Sequence, residues 1–160
     1  MPHVTIEYMI MMPVMILQIF LFPIVASTLM NVWVDSRRTL ALQDVTSNLG
    51  STIQQLYFSL NHETMPSGNV TYSPGLPPFI EDAYYVGSAA LPMASNPGLN
   101  SSLYLELTVK LVGTPDSQTT TVILGPNALW QISTFVSNST YACVNADKLS
   151  NGSILLWFGE

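Results

Sequence analysis

The side chains of this chain that could do chemistry are few and scattered. His3 and His62 are the only histidines, and they lie on different predicted elements. A zinc site needs several converging ligands, so neither histidine is read as one. Cys143 is the single cysteine. That excludes an internal disulfide and a cysteine-based metal site, and its apolar surroundings suggest a small buried hydrophobe. Glu81 and Asp82 are adjacent acids in a predicted loop. Neighbouring side chains diverge, so they suit a solvated turn better than a general acid and base. No glycine-rich phosphate loop and no Ser-His-Asp arrangement occurs in a fitting context. The expectation is a protein that is not an enzyme and carries no cofactor and no metal.

Two other patterns carry more information. Glu7 stands at the edge of an apolar run, TIEYMIMMPVMILQIFLFPIVASTLMNVWV, that holds Pro13 and Pro23. Residues 8 to 34 contain no charged side chain. This exceeds the ~20 residues that cross a bilayer core and the 7–15 of a signal-peptide apolar region. The second pattern is four N-x-S/T sequons, at Asn69, Asn100, Asn138 and Asn151, all outside the apolar run. They predict N-linked glycans on an extracellular surface, although an Asn- and Ser-rich chain also produces some matches by chance.

The elements that must position these residues follow from hydrophobic periodicity. Residues 4 to about 60 read as one long helix. Its first part is apolar all round, as for a helix enclosed by lipid or by other helices. Its second part carries an apolar stripe of Leu40, Leu42, Val45, Leu49, Ile53, Leu56 and Leu60, mostly three or four apart. From His62 the pattern breaks into a Pro- and Gly-rich loop with a short strand near Val70–Tyr72. AYYVGSAALPM suggests a strand. In LYLELTVKLVG, Leu103, Leu105, Leu107, Val109 and Leu111 alternate with more polar residues, the period-two signature of a half-buried strand. QTTTVILG is a further strand, LWQISTFVSNSTYACV one or two more, NADKLSNG a turn region and SILLWFG a closing strand. The expected fold class is α+β: a long hydrophobic N-terminal helix and then a small antiparallel, β-sandwich-like (Ig-like) domain. The expected division is 1–61 for the helix and 62–160 for the β domain.

Composition narrows the partners. The 160 residues carry 9% charged side chains and a net charge of -6, against about a quarter charged in ordinary soluble domains. Arg37, Arg38, Lys110 and Lys148 form no basic patch, so no nucleic-acid partner is expected. Tyr84, Tyr85, Tyr104 and Tyr141 are candidates for an adhesive surface or, alternatively, for core packing.

The segment His3-Val4-Thr5-Ile6-Glu7-Tyr8 with the apolar run behind it resembles the N-terminus of the type IV pilin superfamily. It is most similar to archaeal pilins with the class III type of signal peptide. Thr5 matches the small hydroxyl position, Glu7 the glutamate at the fifth mature position counted from His3, and Tyr8 the aromatic that often follows it. The likeness is a motif match over residues 3–10 and a likeness of layout to about residue 60. It departs from the family in having no Lys/Arg-Gly or Lys/Arg-Ala junction before His3. Four methionines between positions 9 and 15 also stand where small residues are expected.

The resemblance implies a structural subunit of an extracellular pilus-like filament, used for surface adhesion and built as a homopolymer through the N-terminal helix. It implies residence in the membrane before assembly, and a prepilin peptidase and an assembly platform as partners. It also implies an assembly role for Thr5, Glu7, Tyr8, Pro13 and Pro23. Glu7 would meet a terminal amine of a neighbouring subunit or of its own chain. Alternatively it sits at a membrane surface, favoured by the helix dipole, with Thr5 capping the helix. Two other readings stay open: a single-span membrane-anchored surface protein with a β binding domain, and an archaellin-like motility subunit.

Overall fold

A computed structural model of the chain describes residues 3–91 and 104–159, with side chains from residue 9 onward. Helix α1 covers His3–Leu60 and includes Pro13 and Pro23. By internal contacts the chain forms two compact units, Met1–Arg37 and Arg38–Glu160. The second half of α1 therefore belongs with the β structure that follows it.

In the first unit every residue from 9 to 33 is exposed. Phe20 is 69% exposed and Phe22 77%. This part of α1 is long and apolar enough to cross a membrane.

In the second unit the stripe does what its spacing predicts. Leu42, Val45, Leu49, Ile53, Leu56 and Leu60 are buried. Leu40 is the exception, at 65% exposure. It lies two positions from Leu42, about 200° round the helix, so it points away from the face that the others share. Thr46 and Tyr57 complete that face. Burying the Thr46 hydroxyl costs little because it donates to the Leu42 carbonyl one turn back, at 2.6 Å.

Eight strands follow: β1 Gly68–Tyr72, β2 Tyr85–Ala90, β3 Tyr104–Leu111, β4 Ser117–Ile123, β5 Ala128–Trp130, β6 Thr134–Val136, β7 Val144–Lys148 and β8 Ile154–Phe158. They form two four-stranded sheets, ordered β1-β7-β8-β5 and β4-β3-β2-β6. All pairings are antiparallel except β5 with β8. The fold is α+β, a long apolar helix and then a β domain of two sheets.

The alternation read in β3 holds for Leu105, Leu107, Val109 and Leu111, all fully buried, while Leu103 lies outside the described residues. The helix stripe and the inner faces of both sheets share one core. Aromatic rings join the sheets inside it. Phe135 of β6 meets Phe158 of β8 edge-on at 5.7 Å, Trp130 meets Phe158 at 4.9 Å, and Tyr85 stacks on Phe135 at 6.3 Å. Close approach of helix and sheet depends on Gly87, where a Cβ would lie 3.3 Å from the Phe135 Cβ and 3.5 Å from Leu49.

One expected turn is a strand. The first four residues of NADKLSNG continue from Val144 as β7, with Val144, Asn145 and Ala146 buried and Asp147 half-buried. The Asn and Asp that suggested a turn are strand residues, and Asn145 is itself buried, its Oδ1 accepting from the Thr71 hydroxyl at 2.6 Å. The reversal comes later, at 149–152, where Gly152 has φ 84°.

Candidate assembly segment and outer surface

Two prolines shape the first unit. Each lacks an N–H, so Pro13 leaves the Met9 carbonyl, and Pro23 the Ile19 carbonyl, without its usual donor four residues on. At Pro23 a shallow notch forms on one side of the helix, lined by Met15, Gln18, Ile19, Phe22 and Pro23 among others. Another concavity follows the face of Met9, Pro13, Ile16, Leu17 and Phe20. Further along, the Thr28 hydroxyl donates to the Ile24 carbonyl at 2.8 Å. At the end of the apolar stretch the Arg37 guanidinium lies 4.8 Å over the Trp33 ring. A basic group on an amphipathic aromatic is the arrangement that suits an apolar-to-polar boundary.

The expected assembly residues divide. Pro13 and Pro23 are on the exposed apolar helix. Thr5, Glu7 and Tyr8 lie in helical backbone, but their side chains lie outside the described residues. Because α1 already includes His3 and Val4, Thr5 lies within the helix and is not the flanking residue that a cap occupies.

In the second unit the adjacent acids form a tight reversal. Glu81 and Asp82 have φ 46° and 67°, and Ile80 and Ala83 exchange both backbone hydrogen bonds around them, at 2.9 and 3.1 Å. Positive φ at two successive non-glycine residues is uncommon and costs energy. Arg38 holds the turn from the helix side, its Nε donating to Glu81 Oε2 at 2.8 Å. This pair ties the turn to the helix.

At the other end of the helix, Lys148 Nζ donates to the carbonyls of His62 and Met65, at 2.8 and 2.9 Å. Asn127 donates to Asn61 Oδ1 and to the Gly152 carbonyl, at 2.8 and 2.9 Å, and accepts from the Tyr57 hydroxyl. Burial raises the Tyr57 pKa, with the Gly125 backbone acting in the opposite direction. A Cβ on Gly125 would overlap that hydroxyl, so the helix needs glycine there to dock.

The sequon asparagines Asn69, Asn138 and Asn151 are all exposed. Asn69 is on edge strand β1, and the other two are in turns. Asn100 lies outside the described residues. Asn151 Oδ1 accepts from the backbone of Ser153, its own sequon serine, at 3.0 Å. Of the candidate tyrosines, Tyr85 is fully buried and belongs to the core, while Tyr84, Tyr104 and Tyr141 are exposed. Tyr85 donates to the Pro77 carbonyl at 2.8 Å, and desolvation pushes its pKa up to about 12. Cys143 is partly buried beside Asn145. Among the described residues no three His, Cys, Asp or Glu converge to hold a metal ion.

Sequence reasoning missed Asn127, Lys148 and Gln18. The first two act across 66 and 86 positions of chain and left no local signal. Gln18 had one, as an amide well inside the uncharged stretch. Compared with protein-family models, curated proteins and solved structures, the chain shows no match.

Proposed function

We propose that this chain is the structural subunit of an extracellular, type IV pilus-like filament of the archaeal kind, polymerising through the first part of α1 and serving surface adhesion. The observation that carries the reading is the contrast within α1. Residues 9–33 are exposed on every side, whereas the stripe from Leu42 to Leu60 is buried within its own domain. A fully buried large apolar side chain gains ~1.5–3 kcal/mol, so covering the first segment gains tens of kcal/mol gross. Lipid and packed copies of the same helix both offer that cover. A segment accepted by either can wait in a membrane and then enter a filament core.

The remaining features support the same reading. Arg37 on Trp33 suits the membrane boundary of a waiting subunit. The β domain would then face outward, with N-linked glycans on Asn69, Asn138 and Asn151, and on Asn100 as well. A leader peptidase and an assembly platform would process and polymerise the chain. Glu7 would pair with the terminal amine of a neighbouring copy as the helices enter the core, since a carboxylate moved into apolar surroundings needs a partner.

Negative-stain imaging of material sheared from cells expressing the chain should show long rods. Glu7→Leu should reduce rod number severalfold while the β domain keeps its fold by near-ultraviolet circular dichroism. Only detergent-released single subunits, in place of rods, would favour the membrane-anchored surface protein. Intact mass of the sheared subunit should exceed the polypeptide mass by whole glycans. A bare chain would remove the glycan assignment and leave the filament reading standing.

A further inference from the structure

We infer that Gln18 sets the register between copies of this chain, its side-chain amide donating to the Ile19 carbonyl of a neighbouring copy. The inference rests on the filament reading above and adds a specific contact to it.

The argument begins with two unmet hydrogen-bonding groups on one face. Pro23 removes the N–H that the Ile19 carbonyl would otherwise accept. In water such a carbonyl is solvated, but in apolar surroundings leaving it bare is costly. Gln18 presents the complementary problem. Its side-chain amide has two donors, it is exposed, and it sits in a stretch without charge. Thr28 answers its own need inside the helix by donating to Ile24. The Gln18 side chain makes no such bond to a described residue. Gln18, Ile19, Phe22 and Pro23 line the same notch, so the amide and the freed carbonyl are offered on one side.

The choice of occupant follows from the chemistry of that notch. Lipid tails cover Met15, Ile19 and Phe22 well but can neither donate to a carbonyl nor accept from an amide. A second copy of the chain brings both groups at the same spacing. The helix cannot easily close the pair by itself. Side chains on an α-helix lean toward its N-terminus, while carbonyls point toward the C-terminus. Gln18 therefore leans away from its own Ile19 carbonyl. A parallel neighbour displaced by about one to two turns along the axis brings its Ile19 carbonyl up to the amide. Only a narrow range of displacement satisfies both groups, and that makes the contact a register.

The test uses sheared rods of the full chain and measures the unpolymerised fraction by pelleting across a detergent titration. Gln18→Leu removes the donor and makes the segment more apolar. If the contact exists, the unpolymerised fraction rises about three- to tenfold, the range of interhelical hydrogen bonds in apolar media. Pro23→Ala gives the Ile19 carbonyl an internal donor. In that background Gln18→Leu should have less than half of its original effect. Rods lost in Gln18→Leu and regained in the double variant would be the same result in stronger form, provided the β domain stays folded by circular dichroism. Wild-type-like release from Gln18→Leu rods overturns the inference alone, as does an equal effect in both backgrounds. Absence of rods from wild-type cells removes the filament reading and this contact together.

Discussion

Tyr85 shows how a single side chain ties the β domain to pH. Its ring is fully buried, stacked on Phe135, and its hydroxyl donates to the Pro77 carbonyl. Burial disfavours the phenolate, which is why the pKa is pushed up to about 12. The sign of the linkage follows. Between about 10 and about 12 the unfolded chain has released this proton and the folded chain has not. The stability that Tyr85 contributes is therefore complete below about pH 10 and is lost as pH rises toward 12. Urea denaturation at a series of pH values should show a steepening loss in that window. Tyr85→Phe should be weaker at neutral pH by about 1 kcal/mol, because the Pro77 carbonyl loses its donor, yet should decline less steeply in alkali. Equal slopes for the two proteins would mean that Tyr85 is not the titrating group.

At the scale of elements, the periodic segments were legible in the sequence and the connections between them were not. The stripe from Leu42 to Leu60 and the alternation from Leu105 to Leu111 are local patterns, and packing follows them directly. Leu40 broke the rule because a list of apolar residues three or four apart tolerates one member from the opposite face. β7 was misjudged because Asn145 and Asp147 carry turn propensity, which tertiary context overrides once Val144 and Ala146 anchor the strand. The parallel pairing of β5 with β8 joins three residues to three, 26 positions apart, as in Ala128 with Ile154. Nothing within either strand specifies its partner. The candidate site was legible in the same uneven way. The apolar run and its prolines are evident by eye, whereas Gln18 gains meaning only once it shares a notch with Pro23.

At the scale of the whole molecule, the stability of the β domain and the solubility of the chain are separable. Every buried residue described lies at position 42 or beyond. The core draws on α1 from Leu42 and on both sheets, and nothing from residues 9–33 enters it. Those residues contribute apolar surface that needs a cover from outside the chain. A fragment of residues 38–160 keeps the whole core, the Arg38–Glu81 pair and the Lys148 bonds to His62 and Met65. It should fold and stay monomeric without detergent. Its urea midpoint should match that of the full chain in micelles to within about 0.5 kcal/mol, the additivity expected of sites without shared partners. The full chain without detergent should instead polymerise or precipitate, because an exposed apolar surface of that size drives association. A fragment that failed to fold would show that the first part of α1 supports the domain, which would break the separation between domain stability and the apolar segment's need for cover.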